Sequence, residues 1–172
     1  EIERCLKAWT QASPDRTRWV EYARSHEGRP LSYVVVTAPT NANRLDRIQE
    51  GLARLGDPRR TTDDEAAALI RSLPAVAWLG YTVHGDETEG SDAALALLYH
   101  LIAAEDAATA RLLEALVVVV DPVMNPDGRD RFVKMIAENR GVAPNVDDQS
   151  LVHDGYWPYG RGNHYLYDLN RD

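Results

Sequence analysis

Residues 75–104 read AVAWLGYTVHGDETEGSDAALALLYHLIAA, and this stretch decides the fold. It opens as a continuous apolar run, AVAWLGYTV over 75–83, which predicts a strand buried on both faces. Acidic and small residues follow. From 91 to 104 the apolar positions take helical spacing. A buried strand leaving through a polar turn into a helix is the unit from which layered α/β domains are built. His84 and Glu87 stand in that turn.

The same alternation extends in both directions. LSYVVVTA (31–38) and ALVVVVDPV (115–123) are β-branched runs and predict two more buried strands. NANRLDRIQEGLARLG (41–56) places Leu45, Ile48, Leu52 and Leu55 at helical spacing. TTDDEAAALIRSL carries a capping box, with Thr62 as N-cap and Glu65 three residues on. Residues 107–115 predict a further helix, and PDGRDRFVKMIAEN a turn running into one. SPDRTRWVEYARSHEG predicts a helix with Ser13 as N-cap, Pro14 at the first helical position and Gly28 past the end. Residues 1–29 are thus expected to form a helical lead-in to a single domain over 1–172. From Arg140 to Gly162 periodicity fades into a long loop, the kind of segment that often serves function. The expected sheet is largely parallel, and such sheets bind ligands beyond the carboxyl ends of their strands.

The chain has 172 residues, 44% of them hydrophobic, enough for a real core. Nineteen basic against 27 acidic residues give a net charge of −8, which argues against a nucleic-acid backbone as the main partner. A local basic pocket for an anionic group stays open. Cys5 is the single cysteine, so no intrachain disulfide can form. No apolar run approaches the length of a membrane span, and no membrane partner is expected.

Three segments carry chemistry. His84 and Glu87 are both good zinc ligands, but taken alone the pattern is weak and they read first as polar residues at a strand end. Gly85 between them eases a tight reversal. VMNPDGRDRF (123–132) is a turn on its face, though Asn125 and Asp127 could brace the neighbouring strand-end site. YGRGNHYLYDLNRD (159–172) holds Arg161 and Arg171 beside Asn163 and Asn170, and a planar guanidinium suits a carboxylate or a developing oxyanion.

In order, HGDE (84–87), NPDG (125–128), GRGN (160–163) and DLNR (168–171) resemble the motifs of the zinc carboxypeptidase (M14-type metallocarboxypeptidase) family. The resemblance runs from about the first strand to the last residue. It implies a three-layer α/β/α fold with a mixed, largely parallel sheet, a Zn2+ cofactor, and hydrolysis of C-terminal residues from peptides and proteins. It also implies roles: His84 and Glu87 as metal ligands, Arg161 as the catalytic group that polarises the scissile carbonyl, Asn170 and Arg171 as the pair binding the substrate's terminal carboxylate.

The family's third ligand, a histidine downstream of the Asn–Arg pair, and its general-base glutamate have no counterpart in the 172 residues. The chain starts at Glu1 and ends on YDLNRD, which reads like the middle of something. The expectation is an N-terminal portion of a larger catalytic domain, partnered by its C-terminal half. It should be inactive or nearly so alone, weak in zinc, and prone to self-association through an uncovered sheet edge. His100 is expected on a helix, as packing or surface. His153 and His164 could approach the site, but neither matches the third ligand. Asp172 stands where many relatives carry a second Asn. Trp157 and Tyr159 read as loop packing rather than a binding wall. Two other readings stand beside this one: an amidohydrolase similar to aspartoacylase or succinylglutamate desuccinylase, and a non-catalytic peptide-binding module. Compartment stays open, with a lean toward secretion or the periplasm.

Overall fold

The structure, a computed structural model, describes residues 1–150, 152, 153 and 160–171. Trp157 and Tyr159 lie outside the described residues. The elements run α1 (Ile2–Ala12), β1 (Thr17–Arg24), β2 (Pro30–Val36), α2 (Pro39–Ala42), α3 (Leu45–Leu55), α4 (Asp63–Ser72), β3 (Ala75–Gly80), α5 (Glu89–Ala103), α6 (Ala107–Ala115), β4 (Leu116–Asp121) and α7 (Pro126–Asn139). The four strands form a mixed sheet of order β1-β2-β4-β3, with parallel and antiparallel neighbours.

The chain divides into two compact units. The first comprises Glu1–Trp19, Val34–Trp78 and Leu98–Val119. Its core draws on Leu6, Val34, Val36, Ile48, Leu98 and Leu113, each no more than 3% exposed. Chain crossings inside it are tied by buried polar groups. The Thr37 hydroxyl donates to the carbonyls of Leu113 (3.0 Å) and Leu116 (2.7 Å), and the Asn41 amide donates to Leu113 and Glu114. The capping box forms in full on α4: Thr62 accepts from the Glu65 N–H, and the Glu65 carboxylate accepts from the Thr62 N–H at 2.9 Å. The second unit comprises Val20–Tyr33, Leu79–Leu97 and Val120–Asp172.

Two expectations need correction. Residues 17–24 are a strand, not part of a helix. The helical lead-in stops at Ala12, and Ser13 accepts from the N–H groups of Arg16 and Thr17 in a turn that starts β1. Gly28 does not end a helix. It turns the β1–β2 hairpin at φ +80°, its N–H bonding to Ser25 O at 3.0 Å. A sheet-edge strand such as β1 needs no apolar run, and its charged residues fitted helix punctuation equally well. The second correction concerns β3, expected to be buried. It lies at the other end of the described sheet, with Val76 44% and Trp78 55% exposed.

Candidate active site

β3 ends at Gly80, and the next residues pair with the segment after β4. The Tyr81 N–H donates to Asp121 O, Met124 N–H to Tyr81 O, and Asn125 N–H to Thr82 O, all at 2.9–3.0 Å. Thr82 sits at φ +54°, a left-handed conformation rarely tolerated by a β-branched residue. This strained step delivers His84 inward, and the residue is 2% exposed.

Three motif glycines explain how the loops come together. The Gly85 N–H donates to Gly160 O at 3.1 Å. A Cβ on Gly85 would lie 2.1 Å from the Gly128 carbonyl carbon and 2.4 Å from Gly160 O. A Cβ on Gly128 or on Gly160 would lie 2.1 Å from the other's carbonyl oxygen. Backbones here touch where side chains would otherwise stand. Gly85 is therefore required for close approach, and it also lies in the tight turn suggested by the sequence, which the Glu87 N–H closes on His84 O at 3.3 Å.

Four side chains close a ring in this unit. His84 Nδ1 lies 2.9 Å from Glu87 Oε1, and His84 Nε2 lies 2.6 Å from Asp168 Oδ1. Arg161 Nε donates to Asp168 Oδ2 at 2.9 Å, and its Nη1 approaches Glu87 Oε1 at 3.4 Å. Burial works against ionisation of Asp168, but hydrogen bonds from the Asn170 N–H, His84 and Arg161 hold its carboxyl at about 2. Asp168 is thus an ionised acceptor and takes the His84 Nε2–H. Nδ1 is then the ring nitrogen that faces the Glu87 carboxylate. The donor set, one imidazole nitrogen and one carboxylate oxygen, is one that zinc accepts, and the group behind the histidine is the carboxylate that such ligands commonly carry. The residues fit a zinc ion held by His84 Nδ1 and Glu87.

Asn125 does brace this site. Its Oδ1 caps α7 by accepting from the Gly128 N–H at 2.9 Å, and its Nδ2 donates to the carbonyls of Arg161 (3.3 Å) and Gly162 (3.1 Å). Asn163 builds the turn that returns the chain to Asp168, its Oδ1 accepting from the N–H groups of Tyr165 and Tyr167. Asn170 and Arg171 are exposed just beyond, the Asn170 N–H on Asp168 Oδ1 and the Arg171 guanidinium on Asn170 O. Asp168 was missed as a site residue. The signal was available, because a carboxylate within a motif near a metal-ligating histidine is a candidate partner for its second nitrogen.

Asp127 faces away from the ring. Its carboxylate accepts from Ser25 Oγ (2.7 Å), Arg29 (2.8 Å) and the Glu27 N–H (3.1 Å) in the β1–β2 hairpin. His164 goes the same way, with Nε2 2.8 Å from Glu27 Oε1 and its ring 4.2 Å from that of His26. His153 meets Asn145 O at 2.7 Å, and His100 is exposed on α5. Glu27, Asp127 and His164 place donor atoms within 4.8 Å of one another. Arg29 and Arg131 already claim those carboxylates, which makes the group an ion-pair network rather than a cation site. Hydrogen bonds from Arg29 above all, with His164 and Arg131, outweigh burial and hold the Glu27 carboxyl at about 2. A depressed folded pKa stabilises above the unfolded value, about 4.3, and that contribution disappears as pH falls toward 2. Urea midpoints at pH 5 and pH 3 should therefore diverge less in Glu27→Gln than in the parent chain. Equal divergence would refute this role.

The model of the zinc carboxypeptidase family (Peptidase_M14) matches residues 2–172. A curated relative, the probable carboxypeptidase 2 of Arthroderma benhamiae, is 42% identical over 75 residues, covering 44% of this chain and 14% of its own length. Among solved structures, the carboxypeptidase A of Helicoverpa armigera aligns with a TM-score of 0.55 at 18% identity, over 77% of this chain and 25% of that one. A metallo-carboxypeptidase of Burkholderia cenocepacia aligns at 0.51 and 20% identity, over 73% and 26%. The chain thus spans between 14% and 26% of the length of these relatives.

Proposed function

Because this chain belongs to the zinc carboxypeptidase family, we propose that it carries the substrate-facing part of a zinc centre that removes residues from the C-termini of peptides and proteins. His84 and Glu87 hold the metal, and Asp168 fixes the His84 tautomer that leaves Nδ1 free to bind it. Arg161, carried on a loop that Asn125 pins from behind, meets the negative charge that develops on the scissile carbonyl oxygen. Its bond to Asp168 limits the freedom of the guanidinium before substrate arrives. Asn170 and Arg171 take the substrate's terminal carboxylate, which selects a chain end over an internal peptide. Zinc, when bound, would polarise the carbonyl and acidify a water molecule. The third ligand, a histidine, and the general-base glutamate are supplied by residues outside these 172. The 172-residue chain by itself is then inactive or nearly so, and its exposed β3 edge is a surface for self-association.

The observation carrying this reading is the contact of His84 Nδ1 with Glu87 Oε1 at 2.9 Å while Nε2 is engaged by Asp168. Equilibrium dialysis against zinc followed by metal analysis tests it. The parent chain should retain zinc, and His84→Ala should lose it. Equal zinc in the two proteins would remove His84 from the ligand set. Normal turnover of a peptide substrate by the 172-residue chain would show that the outside residues are not needed.

A further inference from the structure

The first unit contains an open cavity of about 490 Å³ with Arg16, Arg18, Arg44 and Arg47 in its lining, against only Asp15 and Asp46. Four positive charges against two give a local excess of +2 on a chain whose net charge is −8. Among the described residues none of the four guanidiniums is closely paired with a carboxylate. Arg18 approaches Asp46 only to 3.8 Å, with both side chains well exposed. Arg16 reaches the Ile102 carbonyl at 3.4 Å, and Arg44 donates to Asn41 Oδ1 at 3.0 Å. Among the described residues Arg47 makes no side-chain hydrogen bond. In the second unit, by contrast, Arg29, Arg131 and Arg161 are all committed to carboxylates.

A guanidinium offers five N–H donors in a planar fork that matches the oxygens of phosphate and sulfate. Gathering several such forks with only two carboxylates among them costs repulsion, which a bound anion reverses. The Arg44–Arg47 segment of the lining is also the start of α3, whose N-cap makes no side-chain bond. We infer that this cavity is a binding site for a doubly charged oxyanion of the phosphate or sulfate type, independent of the zinc centre.

The test is a 15N NMR titration of the chain with inorganic phosphate and, separately, with glucose 6-phosphate, each against sodium chloride at matched ionic strength. Saturable shifts should concentrate at residues 14–18 and 42–47. Arg18→Gln combined with Arg47→Gln, both at exposed positions, should weaken binding about tenfold or more, on the basis of about 1.4 kcal/mol per tenfold. Tighter binding of glucose 6-phosphate than of phosphate would identify the anion as a group on a larger molecule. Equal binding would identify the free ion. Shifts that follow ionic strength alone, or unchanged affinity in a double variant that keeps its native spectrum, would overturn the inference.

Discussion

Gly160→Ala should lower stability by roughly 2–4 kcal/mol, combining a left-handed backbone penalty with an overpacked contact. For a chain of this length that is a fall in melting temperature of about 6–12 °C. Gly28 supplies an internal control. Its φ of +80° is nearly that of Gly160 at +78°, yet a Cβ there would meet nothing within 4 Å, whereas at Gly160 it would sit 2.1 Å from Gly128 O. Gly28→Ala carries only the backbone penalty, about 1–2 kcal/mol. The difference between the two substitutions therefore isolates the interlocking of Gly85, Gly128 and Gly160. Thermal melts of both variants measure it. Equal losses would mean that the close approach contributes nothing. A loss at Gly160 larger by a further kcal/mol or more, accompanied by weaker zinc binding, is the expected pattern, because the same contact sets Arg161 beside Glu87.

Asp168→Asn should lower zinc affinity by about 10- to 100-fold, the range found when a carboxylate behind a ligating histidine is neutralised. The substitution keeps the size of the side chain but removes the charge that holds the His84 Nε2–H and anchors Arg161 at 2.9 Å. Asp130→Asn is the matching control, since that carboxylate pairs with Arg29 in the same unit and touches none of the four ring residues. Isothermal titration with zinc should separate the two variants. If Asp168→Asn binds zinc as the parent does, Asp168 does not orient the ligand.

The sequence was most legible where burial forces a signal. VVV in β2 and VVVV in β4 fill the core and cannot be mistaken for anything but strand. Helix α3 was legible through the spacing of Leu45, Ile48, Leu52 and Leu55, and α4 through the capping box of Thr62 and Glu65 that the structure reproduces, whereas the Asn125 cap on α7 was not read. β1 was illegible because its burial pattern is mostly exposed, so neither period 2 nor an apolar run survives in TRWVEYAR. Ser13, Pro14 and Gly28 then offered a helix grammar that serves a turn and a hairpin equally well.

At the site, the motifs singled out His84, Glu87 and Arg161, and the structure brings these three side chains together. They could not reveal what the second nitrogen of His84 touches, since Asp168 is 84 residues away. The glycines of HGDE, NPDG and GRGN were legible as motif letters but not as one contact, because three backbones meeting across long loops leave no periodic trace. Asp127 and His164 show the opposite failure. Their neighbours in sequence suggested the site, while Arg29 and Glu27 of the hairpin hold them elsewhere.

The ring nitrogens of His84 report the metal centre directly. In the chain labelled with 15N-histidine, zinc addition should move the His84 Nδ1 resonance while Nε2 keeps its proton toward Asp168. A shift at Nε2 instead, or no change at either nitrogen, would contradict the assignment of His84 Nδ1 as a zinc ligand.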